Sequence, residues 1–117
     1  MRKSILKTKC YEFAIRIVKL SQFLVAEHRE FVLSKQILRS GTAVGALIRE
    51  AEYGQSKADF RHKMAIAPKE ASETDYWLHL LKDTNYLTER LFQSLSDDCI
   101  ELIKLLTATV KTTQPAK

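Results

Sequence analysis

Carboxylates and histidines three or four apart on a helix can hold a metal, and this chain approaches that pattern once, at Asp59-x-x-His62. A carboxylate-bridged metal pair in a helical bundle needs Glu-x-x-His on two helices and a further Glu on each of the others. No Glu-x-x-His occurs. Glu70 and Glu73 share a helix face, but Lys69 and Arg61 stand close enough in sequence to make ion pairing their ordinary use. His28, His62 and His79 have no arginine five to seven residues before them, so the Arg-x4–6-His signature of helical ribonucleases is missing. Nor is there a nucleophile elbow or a glycine-rich phosphate loop. The residues predict no catalytic site, no metal and no cofactor.

What remains is charge. The chain carries +5 overall, and the excess is lopsided. Residues 1–50 hold 10 Lys/Arg against 4 Asp/Glu, whereas residues 51–117 hold 9 against 10. A basic first half suits an acidic partner such as RNA or DNA. The phosphate-contacting candidates are Lys9, Arg16, Lys19, Arg49, Lys57 and Arg61, together with Lys3 and Lys7. A solvated helix face is the plain alternative for each of them. Arg39 is different. Counted outward from the turn at Gln55, it falls opposite residues 71–74, so a buried ion pair with Glu70 or Glu73 is expected to fix helix register. A phosphate contact along the line Arg39, Thr42, Ala46 and Arg49 is the alternative.

The elements that must position these side chains are all helical. Gly and Pro number five in 117 residues, too few for a turn-rich β fold. Helical spacing marks residues 6–28, with a stripe of Cys10, Phe13, Ala14, Ile17, Val18, Ser21, Leu24 and Val25. Ser34 is read as the N-cap of a second helix, 35–53, and Gly54 as its left-handed C-cap. Ser56 with Asp59 opens a third helix, 57–85, whose heptads are Phe60, Met64, Ala67, Ala71, Thr74, Leu78 and Leu81. Pro68 interrupts it without breaking the apolar phase, which predicts a bent helix and not two. Thr88 caps a fourth helix, 89–112, with the stripe Phe92, Leu95, Cys99, Leu102, Leu106 and Val110. The last residues, about 112–117, should fray. The expected architecture is one all-α domain, an antiparallel up-down-up-down four-helix bundle.

Two features reach beyond a bundle. Gly41 and Gly45 lie inside the second helix, where each costs about 1 kcal/mol relative to Ala, so close approach of another helix is implied. The third helix carries Ile66, Tyr76, Trp77 and Leu80 off its heptad seam, more apolar surface than one stripe needs. Together these predict a subunit interface, against the alternative of a wide internal core. Cys10 and Cys99 have neither CxxC nor zinc spacing, which fits two free thiols in a reducing cytoplasm. An antiparallel pairing that sets Cys10 opposite residue 109 would hold them roughly 15 Å apart. The basic start has no uninterrupted apolar region, and no run is long enough for a membrane span.

A longer pattern runs through Leu33-Ser34-Lys35-Gln36-x-x-Arg39-Ser40-Gly41-Thr42, Val44-Gly45-Ala46-x-Ile48-x-Glu50-Ala51 and Ser56-Lys57-x-Asp59-Phe60. It continues in Ile66-Ala67-x-Lys69-Glu70-Ala71-x-Glu73-Thr74-x-Tyr76-Trp77-Leu78-x-Leu80-Leu81. These residues resemble the 23S rRNA intervening-sequence family of four-helix-bundle proteins, which is similar to the accessory variability determinant of diversity-generating retroelements. The resemblance is close over about 30–87 and holds in pattern outside it. It implies a bacterial, homopentameric ring, with nucleic acid and a reverse transcriptase or other protein as possible partner classes, and no enzymatic activity. Ala43, Leu47 and Pro68 depart from the family's usual Ser, Asn and Leu, which removes polar groups from the second helix. The sequence is thus read as a non-enzymatic, homo-oligomeric, cytoplasmic bundle with a basic surface for RNA or DNA. The alternative is a protein-interaction scaffold without nucleic-acid binding.

Overall fold

The computed structural model describes residues 2–113, with side chains from Ile5 onward. The expectation for the Lys3 side chain and that for the tail beyond Thr113 lie outside what is described. Four helices follow in order: α1 Arg2–His28, α2 Leu33–Glu52, α3 Lys57–Asp83 and α4 Glu89–Thr113. Each packs on its sequence neighbour, and α1 closes the circuit against α4. Contact partners fall in opposite order along neighbouring helices. Ile17 meets Gly41 while Cys10 meets Gly45; Lys63 meets Glu50 while Glu70 meets Arg39. The result is a four-helix bundle 49 Å long, with a core of Ile17, Leu24, Ile37, Leu78, Leu95 and Leu106, each almost fully buried.

Helix α3 continues from Lys57 to Asp83 through Pro68. Its heptad residues Met64, Ala67, Ala71, Thr74, Leu78 and Leu81 are all buried, and Phe60 is half-buried against them. The Ser56 hydroxyl accepts from the Asp59 N–H at 3.0 Å, and Thr88 accepts from the Leu91 N–H at 3.1 Å, so both expected caps form. Helix α4 runs to Thr113, so the first residues of the expected fraying tail are helical.

Four local expectations need correction. In α1 the buried face is Leu6, Cys10, Phe13, Ile17, Leu20 and Leu24, with Ser21 at its edge. Val18 and Val25 are instead 37% and 39% exposed, because they lie on a second face with no helix over it. The α1–α4 register also differs. Lys9 meets Glu101, so Cys10 comes level with about residue 102 and not 109. Arg16, which reaches both Ser94 and Asp98, holds the same register further along the groove. The thiols stay apart because they face different helices, Cys10 beside Gly45 of α2 and Cys99 on the Ala71 carbonyl of α3.

Ser34 is not the cap of α2. Helix α2 starts at Leu33, and the Ser34 N–H is taken by the Glu30 carboxylate at 2.9 Å. The Ser34 hydroxyl is buried without a hydrogen-bond partner. Removing an N-cap serine costs about 1 kcal/mol, whereas removing an orphaned buried hydroxyl relieves a desolvation penalty. Ser34→Ala is therefore expected to raise the urea midpoint. A fall of the size that a lost cap produces would show the capping role to be right after all.

Gly54 does not take a left-handed conformation; among the described residues only Arg29 and Asn85 have positive φ, 49° and 71°. These two close α1 and α3 with wrap-back bonds, Glu30 N–H to the Leu24 carbonyl at 3.0 Å and Tyr86 N–H to the Leu81 carbonyl at 2.9 Å. Gly54 is there for space. A Cβ would stand 2.7 Å from the Asp59 Oδ2 and 3.1 Å from the Ala51 carbonyl.

Burial also tunes the thiols. It pushes Cys10 from 9.0 to about 11, and Cys99 to about 12 with the nearby Asp75 charge adding to the effect. Both folded values are raised, so their contribution to stability is intact below pH 9 and is lost as pH climbs toward 11 and 12. A Cys10→Ala/Cys99→Ala variant is expected to lose less stability than the parent between pH 9 and pH 11 in urea melts. Parallel pH profiles would contradict this.

Candidate nucleic-acid interface

The six candidate phosphate contacts do not form one patch. Lys9 and Arg16 are committed across the α1–α4 groove. The Lys9 Nζ lies 3.2 Å from Glu101 Oε1, and Arg16 Nη1 donates to Asp98 Oδ2 at 2.6 Å. Arg16 Nη2 also donates to the Ser94 hydroxyl at 3.0 Å. Lys19, Arg49 and Lys57 are exposed and Arg61 is half-buried. Among the described residues none of these four joins an ion pair. Arg49, Lys57 and Arg61 lie in the turns of α2 and α3 nearest their connection, while Lys19 lies beyond Arg16 toward the other end. Neutralised and free cations are thus separable by position.

Arg39 makes the ion pair its register predicted. Nη1 donates to Glu70 Oε1 at 3.1 Å and Nη2 to Glu73 Oε2. The indole N–H of Trp77 donates to the same Glu73 oxygen at 2.9 Å. Arg39 and then Trp77 hold the Glu73 carboxyl below its ordinary range. The pair is not buried, however. Half of the Arg39 side chain is exposed, because Arg39 lies off the α2 face formed by Ile37, Ser40, Gly41 and Val44. An exposed fork of this kind sets register more than it adds stability, about 1 kcal/mol or less. The alternative phosphate line is interrupted: Arg39 is engaged, and the Thr42 hydroxyl donates to the Leu38 carbonyl at 2.7 Å.

Both glycines face α1 of the same chain. A Cβ on Gly41 would stand 2.8 Å from two Ile17 carbons, and one on Gly45 would stand 3.5 Å from the Cys10 Cβ. Gly41 is thus crowded by α1 of the same chain, whereas a Cβ on Gly45 would make only an ordinary contact. Of the surplus α3 residues, Trp77 packs on the core, Ile66 and Leu80 are half-buried, and Tyr76 is 59% exposed with its ring edge on Trp77.

Sequence reasoning passed over two groupings. Asp75 accepts from the Ser96 hydroxyl at 2.9 Å and lies 3.3 Å from His79 Nε2. The serine proton goes to the carboxylate and not to the imidazole, so this is no nucleophile relay. Asp59 and His62 are not joined by a third ligand: among the described residues no group of three His, Cys, Asp or Glu could hold a metal ion. No described helix is long and apolar enough to cross a membrane. The second grouping is the outward face of α1, where Tyr11, Ile15, Val18 and Val25 are all exposed. Its signal was present as a second 4–3 spacing beside the buried one.

Comparison with known proteins agrees with the geometry. A family model described as 23S rRNA-intervening sequence protein matches residues 2–108. The crystal structure of a protein with unknown function from the S23 ribosomal protein family of Bacteroides thetaiotaomicron VPI-5482 is 55% identical in sequence. That likeness covers 95% of this chain and 99% of the other, with a TM-score of 0.92. No curated protein matches the chain significantly.

Proposed function

This chain belongs to the 23S rRNA-intervening sequence protein family, and from that membership we propose that it works without a reaction of its own, as a homo-oligomeric bundle offering a basic surface to RNA or DNA. The observation that carries the reading is that Arg49, Lys57 and Arg61, at one end of a chain of net charge +5, join no ion pair among the described residues. Assembly of several copies repeats that end and concentrates a modest charge into a field strong enough to hold a polyanion. Contacts of this type go to phosphates and read little sequence. A cytoplasmic setting, where nucleic acid is at hand and both thiols stay reduced, suits this role.

A salt titration tests it. Binding of labelled single-stranded and duplex RNA and DNA, followed by anisotropy, is expected to weaken steeply with salt. The log–log slope should approach −0.9 for each duplex phosphate neutralised and about −0.7 for each single-strand phosphate. Lys57→Glu/Arg61→Glu should abolish most of the signal. Absent binding, or binding indifferent to salt, overturns the proposal. The pairing of Lys9 and Arg16 with α4 favours a second reading, a protein-interaction scaffold whose charge only keeps it dispersed. In that case the Lys57→Glu/Arg61→Glu variant would keep its protein partners unchanged.

A further inference from the structure

The inner seam of α4 is a strict heptad series: Phe92, Leu95, Cys99, Leu102 and Leu106, then Thr109 and Thr113. The first five are buried and the two threonines half-buried. A bundle is closed by large apolar side chains at such positions, and threonine is too short to replace them. Both hydroxyls also turn back along their own helix. Thr109 donates to the Leu105 carbonyl and Thr113 to the Val110 carbonyl, each at 2.8 Å. Little bulk is left to fill the end of the core.

A hollow of about 370 Å³ opens there, where the start of α1, the end of α2, the start of α3 and the end of α4 come together. Its apolar wall is Leu6, Ile48, Phe60 and Met64, all part of the core or packed on it. A second hollow of about 240 Å³ shares Leu6 and Thr109 with the first and runs between Ile5 of α1 and Leu105 of α4. It gives the larger one a side entrance.

The polar groups around the larger hollow are already matched. Thr112 donates to the Thr109 carbonyl at 2.8 Å, as its two neighbours do to theirs. Lys7 and Glu52, 3.1 Å apart, cancel each other's charge at the rim. A charged ligand would leave water without gaining an unmatched partner. An apolar one restores the dispersion contacts that the lining lacks, and the volume lies in the range of small-molecule pockets.

We propose that the end of the bundle beneath Thr109 and Thr113 is a binding site for an uncharged, apolar small molecule. Arg49, Lys57 and Arg61 do not line it, so this site and the nucleic-acid reading stand or fall separately.

Fluorescence titration of the full chain with the neutral probe N-phenylnaphthylamine tests the site. Binding is expected to saturate and to raise the melting temperature as probe is added, since a ligand held only by the folded state stabilises it. The same body carrying a charge, anilinonaphthalene sulfonate, should bind about tenfold more weakly or worse, because its sulfonate must leave water beside Glu52. Thr109→Leu/Thr113→Phe extends the apolar seam to the helix end. That variant should lose the saturable site while melting above the parent, so unfolding cannot explain the loss. Ile15→Glu/Val18→Glu, on the exposed face of α1, should bind like the parent. A parent without saturable binding, or equal binding in the filled variant, would overturn the proposal. Preference for the sulfonate would overturn it by giving the site to Lys7 and an anion. Loss of binding in the α1 variant would do so by placing the probe on that outer face.

Discussion

Gly41→Ala is expected to destabilise the bundle, although alanine favours a helix over glycine by about 1 kcal/mol. The new Cβ would lie 2.8 Å from both Cγ1 and Cγ2 of Ile17, closer than carbon atoms tolerate. Ile17 is fully buried and β-branched, so it has no free rotamer to swing into. Relief has to come from α1 moving away from α2, which loosens the α1–α2 seam along its length. Overpacking of this kind costs about 1–3 kcal/mol, enough to exceed the gain in helix propensity. At this chain length the melting temperature should fall by about 4 °C for each kcal/mol of net loss. Gly45→Ala is the internal control. Its Cβ would meet the Cys10 Cβ at 3.5 Å, an ordinary contact, so that variant should be neutral or gain up to about 1 kcal/mol. Equal behaviour of the two variants would mean that α1 slides freely over α2.

Two glycines four apart therefore have different reasons, and a sequence cannot tell them apart. It shows spacing, not which side chain stands opposite. Where the opposite partner is close in sequence the reading was sound. The α2–α3 hairpin is short enough that counting from Gln55 placed Arg39 beside Glu70 and Glu73. The caps at Ser56 and Thr88 depend on residues three away and were equally legible. Contacts spanning the whole chain were not. Lys9 and Arg16 looked like free cations because their partners, Glu101 and Asp98, lie at the far end of the sequence. Ser34 resembled a cap because the competing carboxylate of Glu30 sits in the connector, whose path only the fold defines. Helix α1 misled for another reason: one-dimensional periodicity merges two apolar faces into a single wide stripe, and Val18 and Val25 were assigned to the wrong one.

Thr74→Val should cost about 1–3 kcal/mol, even though valine matches its shape and Thr74 occupies a heptad position that reads as apolar. Thr74 and Ser40 are both fully buried, with their hydroxyl oxygens 2.8 Å apart across the α2–α3 interface. The Thr74 oxygen also lies 2.8 Å from the Glu70 carbonyl, while Ser40 is 3.5 Å from the Ile37 carbonyl. One hydroxyl has one proton, so the arrangement that satisfies both has Ser40 donating to Thr74 and Thr74 donating to Glu70. Valine removes the acceptor and leaves the Ser40 proton only a long, marginal contact in the core. Ser40→Ala leaves Thr74 donating to Glu70 and should cost less, about 0.5–1 kcal/mol. The double variant orphans neither group, so its loss should fall clearly below the sum of the two singles. Strict additivity in that cycle would show that the hydroxyls do not support one another, and that the α2–α3 register rests on apolar packing and the Arg39 fork alone.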